Sequence, residues 1–385
     1  MAQVYLDWNA TTPPHPDVVA AMADAAKNAW GNPSSLHGSG RTAKALVEGA
    51  REAVAQLMGF CSRDVLFTSG GTEANNLGVV RPFWGATGAA LTGTCITSRL
   101  EHPSVIAVVE QLEARGVRAV WLEVPPSGRL EPQSVARALA GAAPPCLIAV
   151  QSANHETGVV QPVAEIVALA AAAGAEVHVD AVQAAGRLPT SAWDGAHSVA
   201  IAAHKMRGPK GVGALLVQPG LTVRPLLRGG GQERGLRPGT VDPVAAAGFA
   251  VAARRAEHGQ TRYAPLGALR DRLEERLLAV GARAGTAPQR NGDGARAPHV
   301  SNMSWPGWPG DELAAALDLE GVCVSAGSAC AAGTPEPSRV IAAMLGEARA
   351  RTALRVSLGE ETTETDVDRA IVAFERVLTR HVSSS

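Results

Sequence analysis

Val65-Leu66-Phe67-Thr68-Ser69-Gly70-Gly71-Thr72-Glu73 reads as a short buried strand that runs into two glycines and then a helix. Val65–Thr68 is β-branched and aromatic, which favours a strand. The glycines let the backbone turn sharply and approach a neighbour closely. The same grammar repeats outward from this point. Ile96–Ser98, Ala119–Leu122, Leu147–Gln151, Val177–Val179, Val199–Ala202 and Ala214–Val217 are short apolar runs, with helical segments between several of them. Val18–Ala29 and Thr42–Met58 have the periodicity of amphipathic helices. Buried strands alternating with helices predict βαβ units and a mostly parallel sheet with helices on both faces.

The pattern changes after Ala256. Arg262–Val280 predicts one long charged helix, and Gly281–His299 a loop with little core. Val300–Trp305, Val322–Val324 and Ala353–Ser357 predict strands, and Glu364–Arg380 a closing helix. The expected organisation is therefore α/β: a large domain over 15–256, and a smaller α+β domain built from 1–14 and 257–385. With 385 residues the chain can bury full cores without metals or disulfides.

Composition narrows the function. Lys and Arg number 35 against 36 Asp and Glu, a net charge of −1, which argues against a nucleic-acid-coating or membrane-surface protein. Cys61, Cys95, Cys146, Cys323 and Cys330 form no CxxC pair and no zinc spacing. An odd, scattered set fits a reducing compartment. The first residues, MAQVYLDWNATTPP, lack the layout of a secretory signal. No apolar run approaches the ~20 residues needed to span a bilayer. The expectation is a cytoplasmic protein without a membrane or nucleic-acid partner.

Four polar features fall at the ends of predicted strands, the edge where open α/β sheets bind ligands. At Ser69–Glu73, Gly71 and Thr72 open a helix whose N-terminus suits a phosphate. An ordinary βα turn with a Thr cap has the same appearance. Asp180 ends the run Val177–Val179 and could hold a protonated ring nitrogen, with Gln183 in reach of a ring oxygen; a helix cap is the bland alternative. Lys205, in Ala202-Ala203-His204-Lys205-Met206-Arg207-Gly208-Pro209-Lys210-Gly211, follows an apolar run and could form a Schiff base with an aldehyde cofactor. Lys210 competes for that role. Lysine plus a carboxylate for a pyridinium nitrogen is the minimal set for pyridoxal 5'-phosphate. Cys330, in Val324–Pro337, sits in a Gly/Ser/Pro-rich loop, either as a reactive thiol or as an incidental one.

Together with Tyr5-Leu6-Asp7-Trp8-Asn9-Ala10-Thr11-Thr12, Gly31–Ser35, Glu101-His102, Asn154-His155-Glu156-Thr157-Gly158, Gly229–Gly235, Arg237–Thr240 and Leu354–Gly359, these motifs resemble the cysteine desulfurases of the NifS/IscS type. These are class V aminotransferase-like enzymes of the fold-type-I pyridoxal-phosphate class. The resemblance spans nearly the whole chain. It implies conversion of L-cysteine to L-alanine, with the sulfur passing to Cys330 as a persulfide and then to an iron–sulfur scaffold or another sulfur acceptor. It implies Lys205 as the cofactor-binding lysine, Asp180 on the ring nitrogen and Gln183 on the ring hydroxyl side. His102 would stack on the ring and move protons. Asn154 would lie beside the ring oxygen or the substrate. Gly71, Thr72 and His204 would hold the phosphate, and Thr240 would reach the phosphate of the partner subunit in a homodimer with shared sites. Arg355 would bind the substrate carboxylate. Selenocysteine lyase and cysteine sulfinate desulfinase, of the same fold, are the alternative activities. One position departs from the family pattern: Ala202 stands where a phosphate-binding serine is usual. One hydrogen bond is lost there, a weakening of ~1–3 kcal/mol unless water or Arg207 supplies a donor.

Overall fold

The computed structural model describes residues 3–84, 91–327 and 336–382. Its strands, in chain order, are β1 (Val4–Tyr5), β2 (Val65–Thr68), β3 (Thr94–Ser98), β4 (Arg118–Leu122), β5 (Cys146–Gln151), β6 (Glu176–Asp180), β7 (Ser198–Ala202), β8 (Gly213–Val217), β9 (Gln289–Arg290), β10 (Val300–Ser304), β11 (Val322–Cys323), β12 (Ser325–Ala326) and β13 (Ala353–Ser357). The helices that matter for the site are α1 (Pro16–Asn28), α2 (Gly38–Met58), α3 (Gly71–Val80) and α4 (Pro103–Glu113).

Seven strands form one sheet in the order β2-β8-β7-β6-β5-β3-β4. The pairs from β4 through β7 are parallel, and β8 is antiparallel to both β7 and β2. Only β8 therefore runs against the rest. The central strands are buried on both faces, as Val177, Val179, Val199 and Ile201 show, which is why they read as continuous apolar runs rather than alternating ones. All seven strands begin within two residues of the apolar runs that predict them. The sheet places the C-terminal ends of β2, β3, β5, β6 and β7 along one edge.

A second core lies around Leu273, Leu277, Leu317, Leu354, Phe374 and Leu378, with Val4 and Leu6 contributed from the N-terminus. It covers a four-stranded antiparallel sheet, β12-β13-β10-β9, and the parallel pair β1-β11. Val340, Ile341 and Met344, late in the chain, pack instead into the core of the large sheet.

Three local expectations change. The single helix over Arg262–Val280 is two helices, Gly259–Tyr263 and Leu266–Arg283. Pro265 stands between them, since it lacks an N–H and clashes with the preceding turn. The strand over Val322–Val324 divides: β11 pairs with β1, and after Val324 the chain crosses to pair with β13. The loop over Gly281–His299 is not without a core. Asn291, Ala297 and His299 are buried in it, and Arg296 makes a two-bond pair with the buried Glu274 at 2.6 and 3.0 Å.

Candidate active site

A cavity of about 290 Å³ opens at the C-terminal edge of the large sheet. Gly71 and Thr72 line it after β2, His102 and Ser104 after β3, and Gln151, Ala153 and His155 at and beyond the end of β5. Asp180, Val182 and Gln183 follow from β6, and Ala202, His204 and Lys205 from β7. Asn9, Ala10 and Thr11 close one side, and Arg355 enters from β13.

The phosphate-like corner is α3. No side chain caps this ten-residue helix, so the first-turn N–H groups of Gly71 and Thr72 have no intrahelical acceptor and carry the positive end of the helix dipole. Gly71 is required: a Cβ there would lie 2.7 Å from Val182 Cγ2, so any side chain would push the helix end off the β6 loop. His204 stands beside it, its Nδ1 3.1 Å from Thr11 Oγ1. Burial, with Lys205, Lys210 and Arg187 nearby, pushes the His204 imidazole down to about 4, so at neutral pH it is an uncharged donor or acceptor. Ala202 is buried and brings no polar atom. Arg207 does not replace the missing hydroxyl. Its guanidinium is held by Glu360 at 3.0 Å, Glu361 at 2.5 Å and the Pro13 carbonyl at 3.2 Å.

Asp180 is not a helix cap, because residues 181–187 form turns rather than a helix. Its Oδ1 accepts from the Val182 N–H at 3.0 Å, and its Oδ2 from Asn75 Nδ2 at 2.8 Å. Asn75 is fixed in turn: its Oδ1 lies 3.1 Å from His178 Nε2, and His178 Nδ1 lies 2.8 Å from Ser198 Oγ. Burial pushes His178 down to about 3, so this chain holds Asp180 without adding charge. The carboxylate therefore remains the charge available to a cation in the cavity.

Between the two candidate lysines, Lys205 lines the cavity and Lys210 is exposed outside it. Lys205 Nζ donates to the carbonyls of Ala10, at 2.9 Å, and of Asn9. The peptide that carries it is anchored by Arg187, whose Nη2 donates to the Lys205 carbonyl at 2.5 Å. Arg187 Nη1 donates to Gln183 Oε1 at 2.7 Å and to Asn9 Oδ1 at 3.1 Å. Gln183 Nε2 donates to the Asn9 carbonyl at 3.1 Å, which leaves its second amide N–H as the donor it can turn to the cavity. Uncharged His204, the bare end of α3 and the Gln183 amide as donors, with the Asp180 carboxylate as acceptor and the Lys205 amine, match the phosphate, ring oxygen, pyridinium and aldehyde of pyridoxal phosphate.

His102 caps α4. Its Nδ1 accepts the Ser104 N–H at 3.1 Å and lies 2.8 Å from Ser104 Oγ, so a neutral ring carries its proton on Nε2. The His155 ring meets it edge to face, with centroids 5.3 Å apart. Arg355 Nη1 donates to the His155 carbonyl at 3.0 Å, and Nη2 pairs with Asp7 Oδ1 at 2.8 Å. Its Nε is buried with no hydrogen-bond partner among the described residues.

Gly71, Thr72, His102, Asp180, Gln183, His204, Lys205 and Arg355, all candidates from sequence, thus share one cavity. Asn154 differs. It is not on the lining: its Oδ1 accepts from the N–H groups of Glu156 and Thr157 at 2.9 and 2.8 Å, and its Nδ2 donates to the Leu100 carbonyl at 3.0 Å. It shapes the loop after β5. Thr240 is exposed and away from the cavity of its own chain. Cys330 lies outside the described residues. Sequence reasoning missed Asn75, Ser104, His155 and Arg187. Asn75 and Arg187 carried a readable signal, each being a polar residue one turn or less beyond a motif already singled out.

Residues 4–370 match the family model of the class-V aminotransferases. An IscS-like cysteine desulfurase of Mycobacterium tuberculosis is 40% identical, over 98% of this chain and 96% of its own length. The NifS-like protein of Rickettsia africae superposes with a TM-score of 0.86 at 30% identity, covering 97% of this chain and 99% of the other. SspA, solved in complex with cysteine, superposes at 0.78 with 28% identity, over 93% and 99%. The likeness runs the length of the chain and takes in every strand that lines the cavity, so this protein belongs to the class-V aminotransferases, among the cysteine desulfurases of the NifS/IscS type.

Proposed function

We propose that this chain converts L-cysteine to L-alanine with pyridoxal phosphate as cofactor and passes the sulfur to Cys330. The observation that carries the reading is the convergence of Asp180, Lys205, His102 and Arg355 on one cavity from β6, β7, the turn after β3 and a separate sheet. When bound, the cofactor would supply an aldehyde for the substrate amine and an electron-withdrawing ring that stabilises charge at the substrate's α-carbon.

The residues have separable tasks. Lys205 would hold the cofactor's aldehyde, and its amine could move the α-proton. Asp180 keeps the ring nitrogen protonated, because an adjacent carboxylate favours the charged form. Gly71, Thr72 and His204 grip the phosphate. The Gln183 amide donates to the ring oxygen. His102 covers the ring and presents Nε2–H. Arg355, whose buried Nε has no partner among the described residues, would receive the substrate carboxylate. Asn154 acts by holding the loop that bears His155.

The reading extends to a homodimer in which Thr240 reaches the partner's phosphate, to an iron–sulfur scaffold or another sulfur acceptor, and to work in the cytoplasm. An exposed Thr240 and four unpaired cysteines among the described residues support the first and last of these. Among the described residues no helix is long and apolar enough to cross a membrane. We place the domain division at 14/15 and 256/257, which the separate core around Leu273 and Phe374 supports.

The test is alanine release from L-cysteine in the presence of a thiol reductant, for wild type beside Cys330→Ala. Alanine from wild type alone is the expected result. Equal alanine from both removes Cys330 as sulfur acceptor. No alanine from a wild-type protein that holds the cofactor overturns the reading.

A further inference from the structure

His155 lines the cavity but has no task in the reading above. Its side chain is 12% exposed, and its ring is held from two sides. Gln151 Nε2 donates to the Leu100 carbonyl at 2.5 Å, which fixes the amide so that its Oε1 faces His155 Nδ1 at 3.4 Å. An amide oxygen only accepts, so the imidazole proton sits on Nδ1 and Nε2 carries the lone pair. Nε2 lies 3.7 Å from Glu156 Oε1, beyond hydrogen-bond distance, and no other described group binds it. The adjacent His102 is the opposite tautomer, with its Nδ1 taken by Ser104. A neutral His102 therefore offers a proton at Nε2 and cannot accept one there.

A zwitterionic amino acid arrives as an ammonium, and its nitrogen is a nucleophile only after losing a proton. The carboxylate anchor, Arg355, is fastened to the His155 carbonyl itself at 3.0 Å, and the ammonium is on the carbon next to the carboxylate. We propose that His155 is a further catalytic residue, whose Nε2 takes the ammonium proton of the incoming L-cysteine. One N–H bond of the substrate breaks and one forms on Nε2; the electron pair stays on the substrate nitrogen, and nothing is oxidised or reduced. Lys205, hydrogen-bonded to two carbonyls, remains for the later α-proton step.

The surroundings keep His155 ready for this. Burial lowers its proton affinity well below the ordinary histidine value, and His102, Arg355 and Lys205 lower it further. Glu156 Oε1 lies 3.7 Å away, burial raises its carboxyl group above the usual range, and Ser338 Oγ donates to its other oxygen. The base is thus present at neutral pH.

The inference rests on the cysteine reading, and its test separates the two. In the purified full-length protein, nitrogen NMR of labelled histidine is expected to find His155 neutral at pH 7 with its proton on Nδ1. In the cofactor-loaded protein, His155→Asn and His155→Gln are expected to lose about 10²-fold in kcat/KM for L-cysteine at pH 7, the lower range of acid–base contributions, with kcat changed less. The loss should shrink as pH rises toward the range where the substrate ammonium itself ionises, because free amine then becomes abundant without help. A loss constant across pH, an unaltered kcat/KM, or a His155 charged or protonated on Nε2 at pH 7 overturns the inference. If both variants fail to fold, the wild-type NMR decides alone. A wild type that makes no alanine from cysteine sinks the proposed function instead and leaves the tautomer measurement standing.

Discussion

Asp180 is the last residue of β6 and Lys205 stands three residues past β7, whereas Arg355 is the middle residue of β13, a strand of the other sheet. All three reach the same cavity. The first two are delivered by their own strands, whose parallel register carries each strand end to one edge. Their supports are close by in the fold: Val182, Asn75 and Arg187 hold them by hydrogen bonds from the same sheet's loops and helices. Arg355 is delivered by docking. Its partners, Asp7 and the His155 carbonyl, come from the N-terminal segment and from the loop after β5. On one wall of the site Asp180 is therefore held within the large sheet, and Lys205 leans in addition on the carbonyls of Asn9 and Ala10; on the other wall Arg355 is placed only when two cores and the N-terminus assemble.

If that contrast is right, losses on the first wall are chemical and losses on the second are shared between binding and folding. Lys205→Ala should reduce alanine formation from L-cysteine by at least ~10³-fold, as removal of an activated nucleophile does, while thermal stability stays near wild type. Lys210→Ala, outside the cavity, should remain active. Equal loss from both lysines would break the assignment. Asp180→Asn should come next, with a fall in turnover of ~10²-fold or more, because the ring nitrogen loses the charge that keeps it protonated, a difference of several kcal/mol at a buried pair. Asn75→Ala should mimic it weakly, lowering turnover several-fold, since Asp180 keeps its Val182 bond at 3.0 Å.

Arg355→Lys tests the second wall. A lysine cannot reproduce two parallel hydrogen bonds to a carboxylate, nor hold Asp7 and the His155 carbonyl together. We expect KM for L-cysteine to rise 10- to 100-fold, the equivalent of ~1.5–3 kcal/mol for a charged hydrogen bond. We also expect a lower melting temperature, measured on the same preparation, because Asp7 is left half-paired between the two regions. A change in KM with no change in stability would mean that the second wall is as self-supporting as the first.

The same contrast explains what could be read from the sequence. β2, β5, β6, β7 and β8 are apolar on both faces, so their positions follow from unbroken runs of Val, Ile, Leu and Ala. The polar residue that ends each run is conspicuous by its neighbours. That is why Asp180, Lys205 and the Gly71–Thr72 turn were legible. Arg355 within Ala353–Ser357 offers no such signal, and only its likeness to a family motif singled it out. His155 is illegible for another reason: nothing in Asn154-His155-Glu156 says which side chain turns to the cavity and which to the backbone. The break at Pro265 was legible in principle, since a proline within a helical pattern ends the helix; periodicity over Arg262–Val280 masked it.

The smallest expected effect is the most diagnostic of the first wall's self-sufficiency. Ala202 ends β7, is 1% exposed and lines the cavity beside His204. The main chain there is extended, with φ −136° and ψ 129°, a conformation that serine adopts without strain. Arg207 cannot reach in to compensate, because Glu360 and Glu361 hold its guanidinium. Phosphate retention therefore falls to the N–H groups of α3 and to His204. Ala202→Ser adds one hydroxyl at a rigid strand end without disturbing either. A hydrogen bond to a charged oxygen contributes about 1.5 kcal/mol at its lower bound, so the Kd for pyridoxal phosphate should tighten about tenfold in titrations of the cofactor-free protein. Turnover of the loaded enzyme should not change, because the phosphate takes no part in the bond-breaking steps. An unchanged Kd would mean that the helix end and His204 already saturate the phosphate. A weaker one would place the phosphate elsewhere than at the mouth of α3.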